Sequence, residues 1–207
     1  EEIAYLKSKG VMNLPAGEAG FEKAVYSINK GLWGTSVGGK ETLNSNGMLP
    51  EEAWPTQCTK KNAESVTLGF EKGEIKKVND KTFSHPAQAI QYLQTIAGPF
   101  AIGRDIHVGD TIIGIKGRVG FEAAAPMIIL KAHHALEKHV LTKWQLNWKD
   151  QLALFYGNWL HEGQILDPVM RDIEAYFENS QQNVTGTVFV QLMPYRFQIT
   201  GIESKYD

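Results

Sequence analysis

The side chains best suited to ligand chemistry lie in one glycine-rich stretch in the middle of the chain. Between residues 103 and 122, glycines recur among the polar side chains of His107, Lys116 and Arg118. Glycine lets the backbone approach a ligand or adopt a positive φ without strain. The cationic groups would suit a carboxylate or a phosphate. The pattern predicts a ligand-binding loop, although solvated surface side chains would give the same composition.

A second glycine-rich segment, from Gly34 to Lys40, nearly matches the phosphate-binding P-loop pattern. The position that should carry a Mg²⁺-binding hydroxyl is Glu41, and the segment lacks the pattern of a buried parallel strand followed by a helix. A polar surface loop is the simpler interpretation of these glycines. We therefore expect no nucleotide site on this segment.

Three histidines crowd one predicted helix, at His133, His134 and His139. A helix turns by about 100° per residue, and metal chelation favours side chains four residues apart. None of these pairs has that spacing. The sequence predicts neither a metal site nor a catalytic residue.

The glycine-rich stretch is followed by a long helix that Pro126 should open, because the first turn tolerates proline. Its apolar face is formed by Ile129, Ala132, Leu136 and Val140. Upstream, we expect a short strand at 24–28, a connection at 48–61 anchored by Trp54, a β-hairpin over 66–78 and a helix at 86–97.

Downstream, two more helices and two strands complete the chain. An aromatic stripe predicts a helix that Asn147 caps and Gly163 ends, and Asp167 with Pro168 should cap the last helix. Alternation predicts closing strands at 188–192 and 197–202. Without a βαβ rhythm, the fold class is α+β, an antiparallel sheet with β-hairpins packed against three long C-terminal helices. The aromatic stripe should be core or subunit interface.

Composition narrows the possible functions. The chain has 207 residues, 43% of them hydrophobic, and a net charge of −2. This balance argues against nucleic acid and anionic membranes as partners and favours a small-molecule substrate. No apolar run approaches the roughly 18 residues of a membrane span. Lone Cys58 excludes an internal disulfide and indicates a reducing, cytoplasmic environment.

Three segments resemble landmarks in the C-terminal domain of argininosuccinate synthase, in the same order: KGLWGTSVGGKE, GIKGRVGFEAAAP and NVTGTVFVQL. The resemblance covers almost all of residues 1–207, with 1–10 as the end of a linker helix from an ATP-binding domain that this chain lacks. It implies a C–N ligase of arginine biosynthesis that joins citrulline and aspartate to give argininosuccinate, AMP and pyrophosphate.

The resemblance also implies a homotetramer in which ATP, with Mg, is bound by the N-terminal domain. No cofactor is expected on this chain, and the chain alone should be inactive. A non-catalytic ligand-binding or oligomerisation module is the alternative.

By the same resemblance, Ser27 and Ser36 occupy the two hydroxyl positions that hydrogen-bond citrulline. Gly109 and Phe121 stand where the family carries a Glu and a Tyr, both citrulline contacts. His107, Lys116 and Arg118 are further candidate ligand contacts. One possibility is that the substrate is an N-acylated citrulline, such as N-acetyl- or N-succinylcitrulline, which has no free amine to pair with a carboxylate. The other is that the substrate is citrulline and another acid, Asp105 or Asp110, replaces the lost carboxylate.

Overall fold

The computed structural model describes Tyr5 and residues 8–10, 25–110 and 113–207, except for the side chain of Asp110. The α+β class is confirmed, with two antiparallel sheets and, in the described residues, four α-helices. The strands are β1 (Tyr26–Gly31), β2 (Gly34–Gly39), β3 (Glu64–Glu71), β4 (Glu74–Val78), β5 (Lys81–Thr82), β6 (Arg104–Asp110), β7 (Lys116–Glu122), β8 (Gly186–Met193) and β9 (Arg196–Glu203). The helices are α1 (Pro86–Ala97), α2 (Ala124–Val140), α3 (Lys143–His161) and α4 (Pro168–Ser180).

Most of the helix expected over residues 1–10 lies outside the described residues. Gly10 has a φ of +67°, the left-handed conformation in which helices commonly end.

The smaller sheet has the strand order β1-β2-β7-β6. Its first hairpin corrects the expectation of a strand at 24–28 followed by a loop, because the glycine-rich segment Gly34–Gly39 is itself a strand. A two-residue turn, Leu32 and Trp33, joins β1 to β2. This antiparallel geometry lacks the strand-loop-helix context of a P-loop.

The larger sheet has the order β5-β4-β3-β8-β9. Its predicted hairpins are confirmed, and alternating residues such as Val66, Leu68 and Val188 are buried. Helices α1 and α2 pack against this sheet and contribute Leu93, Ile128 and other buried residues to the same core. A smaller cluster around Val37, Leu49 and Trp54 fills one side of the smaller sheet, so the predicted anchor at Trp54 is confirmed.

The helix termini follow local capping chemistry. The predicted cap at Asp167 is confirmed, since its side chain accepts from Val169 N–H at 3.0 Å. The predicted cap at Asn147 is wrong, because Thr142 caps α3 in a reciprocal box with Gln145. Helix α2 likewise begins at Ala124, before Pro126, which still lies in the first turn.

Helix α3 packs on other helices rather than on a sheet, and none of its residues is buried. Its contacts include hydrogen bonds from Lys149 to Glu137 of α2 and from Tyr156 to Glu174 of α4. Trp148 of the predicted aromatic stripe is 57% exposed, and Trp144, one turn before it, is 67% exposed. Within the described part of the chain, no helix combines the length and the apolarity that crossing a membrane requires.

Candidate functional site

The smaller sheet has one packed face and one open face, and its register decides which side chains share the open one. Asn29 pairs with Ser36, Ser36 with Phe121, and Phe121 with Asp105. Directly paired residues in antiparallel strands point to the same side of the sheet. One row of side chains therefore crosses all four strands, from Asn29 on β1 to Asp105 on β6.

Residues two positions along each strand return to the same face. Ser27 therefore shares it with Asn29, and His107 and Gly109 share it with Asp105. The open face is the set Ser27, Asn29, Gly31, Gly34, Ser36, Gly38, Asp105, His107, Gly109, Gly117, Val119 and Phe121. Ser27, Ser36, Gly109 and Phe121, far apart in sequence, are thus brought together on one surface.

Glycines shape the floor of this open face. A Cβ built on Gly38 or Gly117 would meet no other atom within 4 Å, so the surface above them is free. At Gly34 the Phe121 ring covers the backbone, and a Cβ there would lie 2.4 Å from the ring. At Gly109 a Cβ would lie 3.0 Å from Nε2 of His107. The missing side chains therefore make room for the Phe121 and His107 rings.

The opposite face is packed and holds the other two predicted contacts. Gly120 lies against Leu49 and Trp54, so the β7 residues two and four positions before it also point toward this side. These residues are Arg118 and Lys116, and Arg118 donates from Nη2 to the Gly47 carbonyl at 2.9 Å. The structure does not bring these two cations together with Ser27 and Ser36.

A buried polar network fixes β6 against β7 beneath the site. Arg104 and Glu122 are direct cross-strand partners, and both side chains are more than 90% buried, at 9% and 8% exposure. Arg104 donates from Nη1 to Glu51 at 2.8 Å and from Nη2 to the Thr56 carbonyl. The Thr56 hydroxyl in turn donates to Glu122 at 2.6 Å.

This network could not be predicted from the sequence. Thr56 and Glu122 are 66 positions apart, and no local pattern connects them. Asn29 and Asp105 were missed as neighbours for a related reason, because their place on the open face follows only from the strand register.

Two of the histidines of α2, His133 and His134, lie beside the buried carboxylate of Glu137. In the described residues no group of three or more His, Cys, Asp and Glu side chains is placed to hold a metal ion. His133 Nε2 lies 3.0 Å from Gln181 Oε1, and burial lowers the pKa of His133 below its ordinary value. The carboxylate of Glu137, fully buried, accepts from Lys149 at 2.7 Å and from Gln181 at 2.8 Å.

Taken together, the fold and the site define an α+β domain that presents a polar, glycine-rich sheet face. Residues 26–207 match the family model described as "Arginosuccinate synthase C-terminal domain". The chain belongs to the argininosuccinate synthase family.

Curated relatives support this membership. The chain is 35% identical to the argininosuccinate synthase of Methanocaldococcus jannaschii, over 100% of this chain and 51% of the relative. It is 34% identical to that of Xanthomonas campestris pv. campestris over 99% of this chain and 51% of the relative. For Dictyoglomus thermophilum the identity is 32%, again over 100% and 51%. The chain thus spans about half the length of the curated relatives it matches.

Proposed function

We propose that this chain is the C-terminal, substrate-positioning domain of an ATP-dependent ligase of arginine biosynthesis. The ligase joins citrulline, or an N-acylated citrulline, to aspartate and forms argininosuccinate or its N-acyl derivative, AMP and pyrophosphate. The observation that carries the proposal is the shared open face of Ser27, Ser36, Gly109 and Phe121. Family membership and relatives named argininosuccinate synthase support the reaction class.

The part of this domain in the reaction is positioning. The Ser27 and Ser36 hydroxyls can each donate and accept a hydrogen bond, which suits a ureido group or a carboxylate. Ser36 is half-buried and held by pairing on both sides of β2, so its hydroxyl is placed before the ligand arrives. Holding a substrate in this way lowers the entropic part of the barrier.

The structure of the segment that resembles a phosphate loop supports placing ATP outside the described residues of this domain. The segment that most resembles a phosphate loop, Gly34–Gly39, is a strand in an antiparallel hairpin, and the following residues form only a short 3-10 turn at Lys40–Leu43. A phosphate site needs a loop that turns its N–H groups inward at the start of a helix. We therefore assign ATP, its Mg and the activation of the substrate to a domain outside this chain.

Two substrates are compatible with the open face. The place of Gly109 offers no carboxylate for a substrate amine, and an N-acylated citrulline would need none. Alternatively Asp105, which lies on the open face, could pair with the amine of free citrulline. Its Oδ1 already accepts from Ile106 N–H at 2.7 Å, which leaves Oδ2 available for an ammonium group.

The test uses this domain joined to the ATP-binding domain we propose. Pyrophosphate release is measured with ATP, Mg²⁺ and aspartate, and with citrulline, N-acetylcitrulline and N-succinylcitrulline in parallel. We expect turnover with at least one of the three. Absence of turnover with all three in a folded protein would refute the ligase and favour a non-catalytic binding or oligomerisation module.

We also infer that the domain self-associates. Helix α3 exposes Trp144, Trp148 and Phe155, and none of its residues is buried by the rest of the chain. An exposed aromatic strip of this size is characteristic of a protein interface. A second copy of the chain is the partner that the proposed homotetramer supplies.

A further inference from the structure

We propose that His107 determines substrate specificity by binding a carboxylate at the far end of an acyl group on the substrate. The inference rests on the proposed function and selects, between its two substrates, an N-acylated citrulline whose acyl group ends in a carboxylate. N-succinylcitrulline is the probe with that chemistry.

The described open face carries two ionisable side chains, His107 and the carboxylate of Asp105 two positions before it on β6. His107 is the one side chain of that described face that can carry a positive charge, because Lys116 and Arg118 lie on the opposite side. In the described residues the His107 imidazole makes no hydrogen bond, and the side chain is exposed. An imidazole N–H is therefore available to donate to a ligand. A protonated histidine can pair with a carboxylate through a charge-assisted bond, whereas it repels an ammonium group.

The placement of the imidazole depends on the glycine beside it. Nε2 of His107 lies 3.0 Å from the point where Gly109 would carry a Cβ. That separation is tighter than ordinary van der Waals contact, so a side chain at 109 would require the imidazole to shift by a few tenths of an ångström. Glycine at this position therefore lets the ring lie low over β6, with Nε2 close to the floor of the open face.

The order of chemical groups across the face matches an acylated substrate. Hydroxyls stand on β1 and β2, the apolar side chains of Val119 and Phe121 follow on β7, and His107 stands on β6 opposite Val119. Ser36 and His107 are two strands apart and offset by two residues along the strand, roughly 12 Å at about 4.8 Å per strand and about 3.4 Å per residue. A substrate held at Ser36 reaches His107 only if it extends across β7. Acyl methylenes over Val119 and a terminal carboxylate at His107 fit this sequence of groups.

The experiment uses the assay of the complete ligase. Values of kcat/KM are measured with citrulline, N-acetylcitrulline and N-succinylcitrulline for the wild type, His107→Asn and His107→Arg. We expect the wild type to prefer the succinyl substrate by about tenfold or more, the effect of one charged hydrogen bond. His107→Asn should remove this preference by raising KM for the succinyl substrate alone. His107→Arg should restore the preference, because it returns a cation. The matched control is His85→Asn, a change at an exposed position that keeps a good helix cap on α1. It should leave kcat/KM unchanged for every substrate.

Each alternative outcome is separable from the others. Equal loss on both acyl substrates in His107→Asn, without rescue by arginine, would show a structural role and overturn the proposal. A wild-type preference for N-acetylcitrulline or free citrulline would overturn the role of His107 while the ligase function stands. No turnover with any substrate would overturn the proposed function, and this inference with it.

Discussion

The ammonium group of Lys149 lies 2.7 Å from the carboxylate of Glu137, a side chain with no exposed surface. This pair joins α3 to α2, and α3 has no buried residue of its own. Glu137 also accepts from Gln181 at 2.8 Å, and the Nδ1 atoms of His133 and His134 lie 3.8 and 3.6 Å from it. A polar contact to a buried carboxylate thus helps to hold α3 against α2.

Removing one member of this pair should be costly. We expect Lys149→Met to lower the free energy of unfolding by about 3 kcal/mol, because it leaves a buried carboxylate without its cation. The measurement is urea denaturation at neutral pH. The double variant Glu137→Leu with Lys149→Met should recover most of the loss, because apolar replacement of a whole buried pair is commonly neutral. A single variant within about 0.5 kcal/mol of wild type, the range of an ordinary surface change, would contradict this expectation.

The same cluster predicts a pH dependence. Burial, opposed in part by Glu137, holds the pKa of His133 below its ordinary value of 6.5. The unfolded chain therefore binds more protons than the native protein as pH falls through 6.5, and stability decreases toward the lower, native pKa. The contribution of His133 to the free energy of unfolding is complete only above pH 6.5, where its imidazole is neutral in both the native and the unfolded state.

The effect is isolated by comparing variants over that pH range. In His133→Asn the difference in unfolding free energy from wild type should shrink as pH is lowered from 7.5 to about 5, since the variant lacks the titrating group. His161→Asn, at an exposed position near the end of α3, serves as the control and should follow the wild-type curve. If the gap between His133→Asn and wild type stays constant over this range, the predicted direction of the pH dependence is wrong.

The contrast between predicted and missed features has a physical basis. The strand alternation of β8 and β9 and the cap at Asp167 are local patterns, and both were predicted correctly. The β1–β2 hairpin was missed because its glycines carry no alternating apolar side chains. The burial of Glu137 was also missed, since its partners Lys149 and Gln181 lie 12 and 44 positions away.

The candidate site divides in the same way. Ser27, Ser36, Gly109 and Phe121 were identified by resemblance, and their location on one face follows from strand register alone. The separation of Lys116 and Arg118 from that face is also a consequence of register. Residue type could indicate candidate contacts, but it could not indicate the side of the sheet.

The hydroxyls of the open face should contribute to substrate binding. Ser27→Ala and Ser36→Ala each remove one hydrogen bond worth about 1 kcal/mol, so KM should rise roughly fivefold for the preferred substrate. Kinetics of the complete ligase measures this effect. Ser65→Ala, on an exposed position of β3 in the larger sheet, is the matched control. Unchanged KM in both open-face variants would exclude the face as the substrate site.

The domain alone should bind ATP only weakly. Gly34–Gly39 forms a strand, and Lys40 begins a short 3-10 turn with an exposed side chain, so this segment does not form a loop that could enclose a phosphate. Calorimetry with ATP and Mg²⁺ should therefore give no micromolar binding by this chain. Micromolar binding that disappears in Lys40→Ala would refute this prediction.

The exposed strip of α3 should hold two copies of the domain together. Trp144, Trp148 and Phe155 are 67%, 57% and 41% exposed and lie within about 40° of one another around the helix. We expect the wild type to be at least dimeric by light scattering at high concentration, because burying such a strip removes substantial apolar area from water. Trp148→Glu should shift the protein to monomer, since it would place a charge in the interface. Ala153→Glu adds the same charge at an exposed position elsewhere on α3 and should leave the oligomer intact. A monomeric wild type, or dissociation by both variants alike, would show that the strip is not the interface.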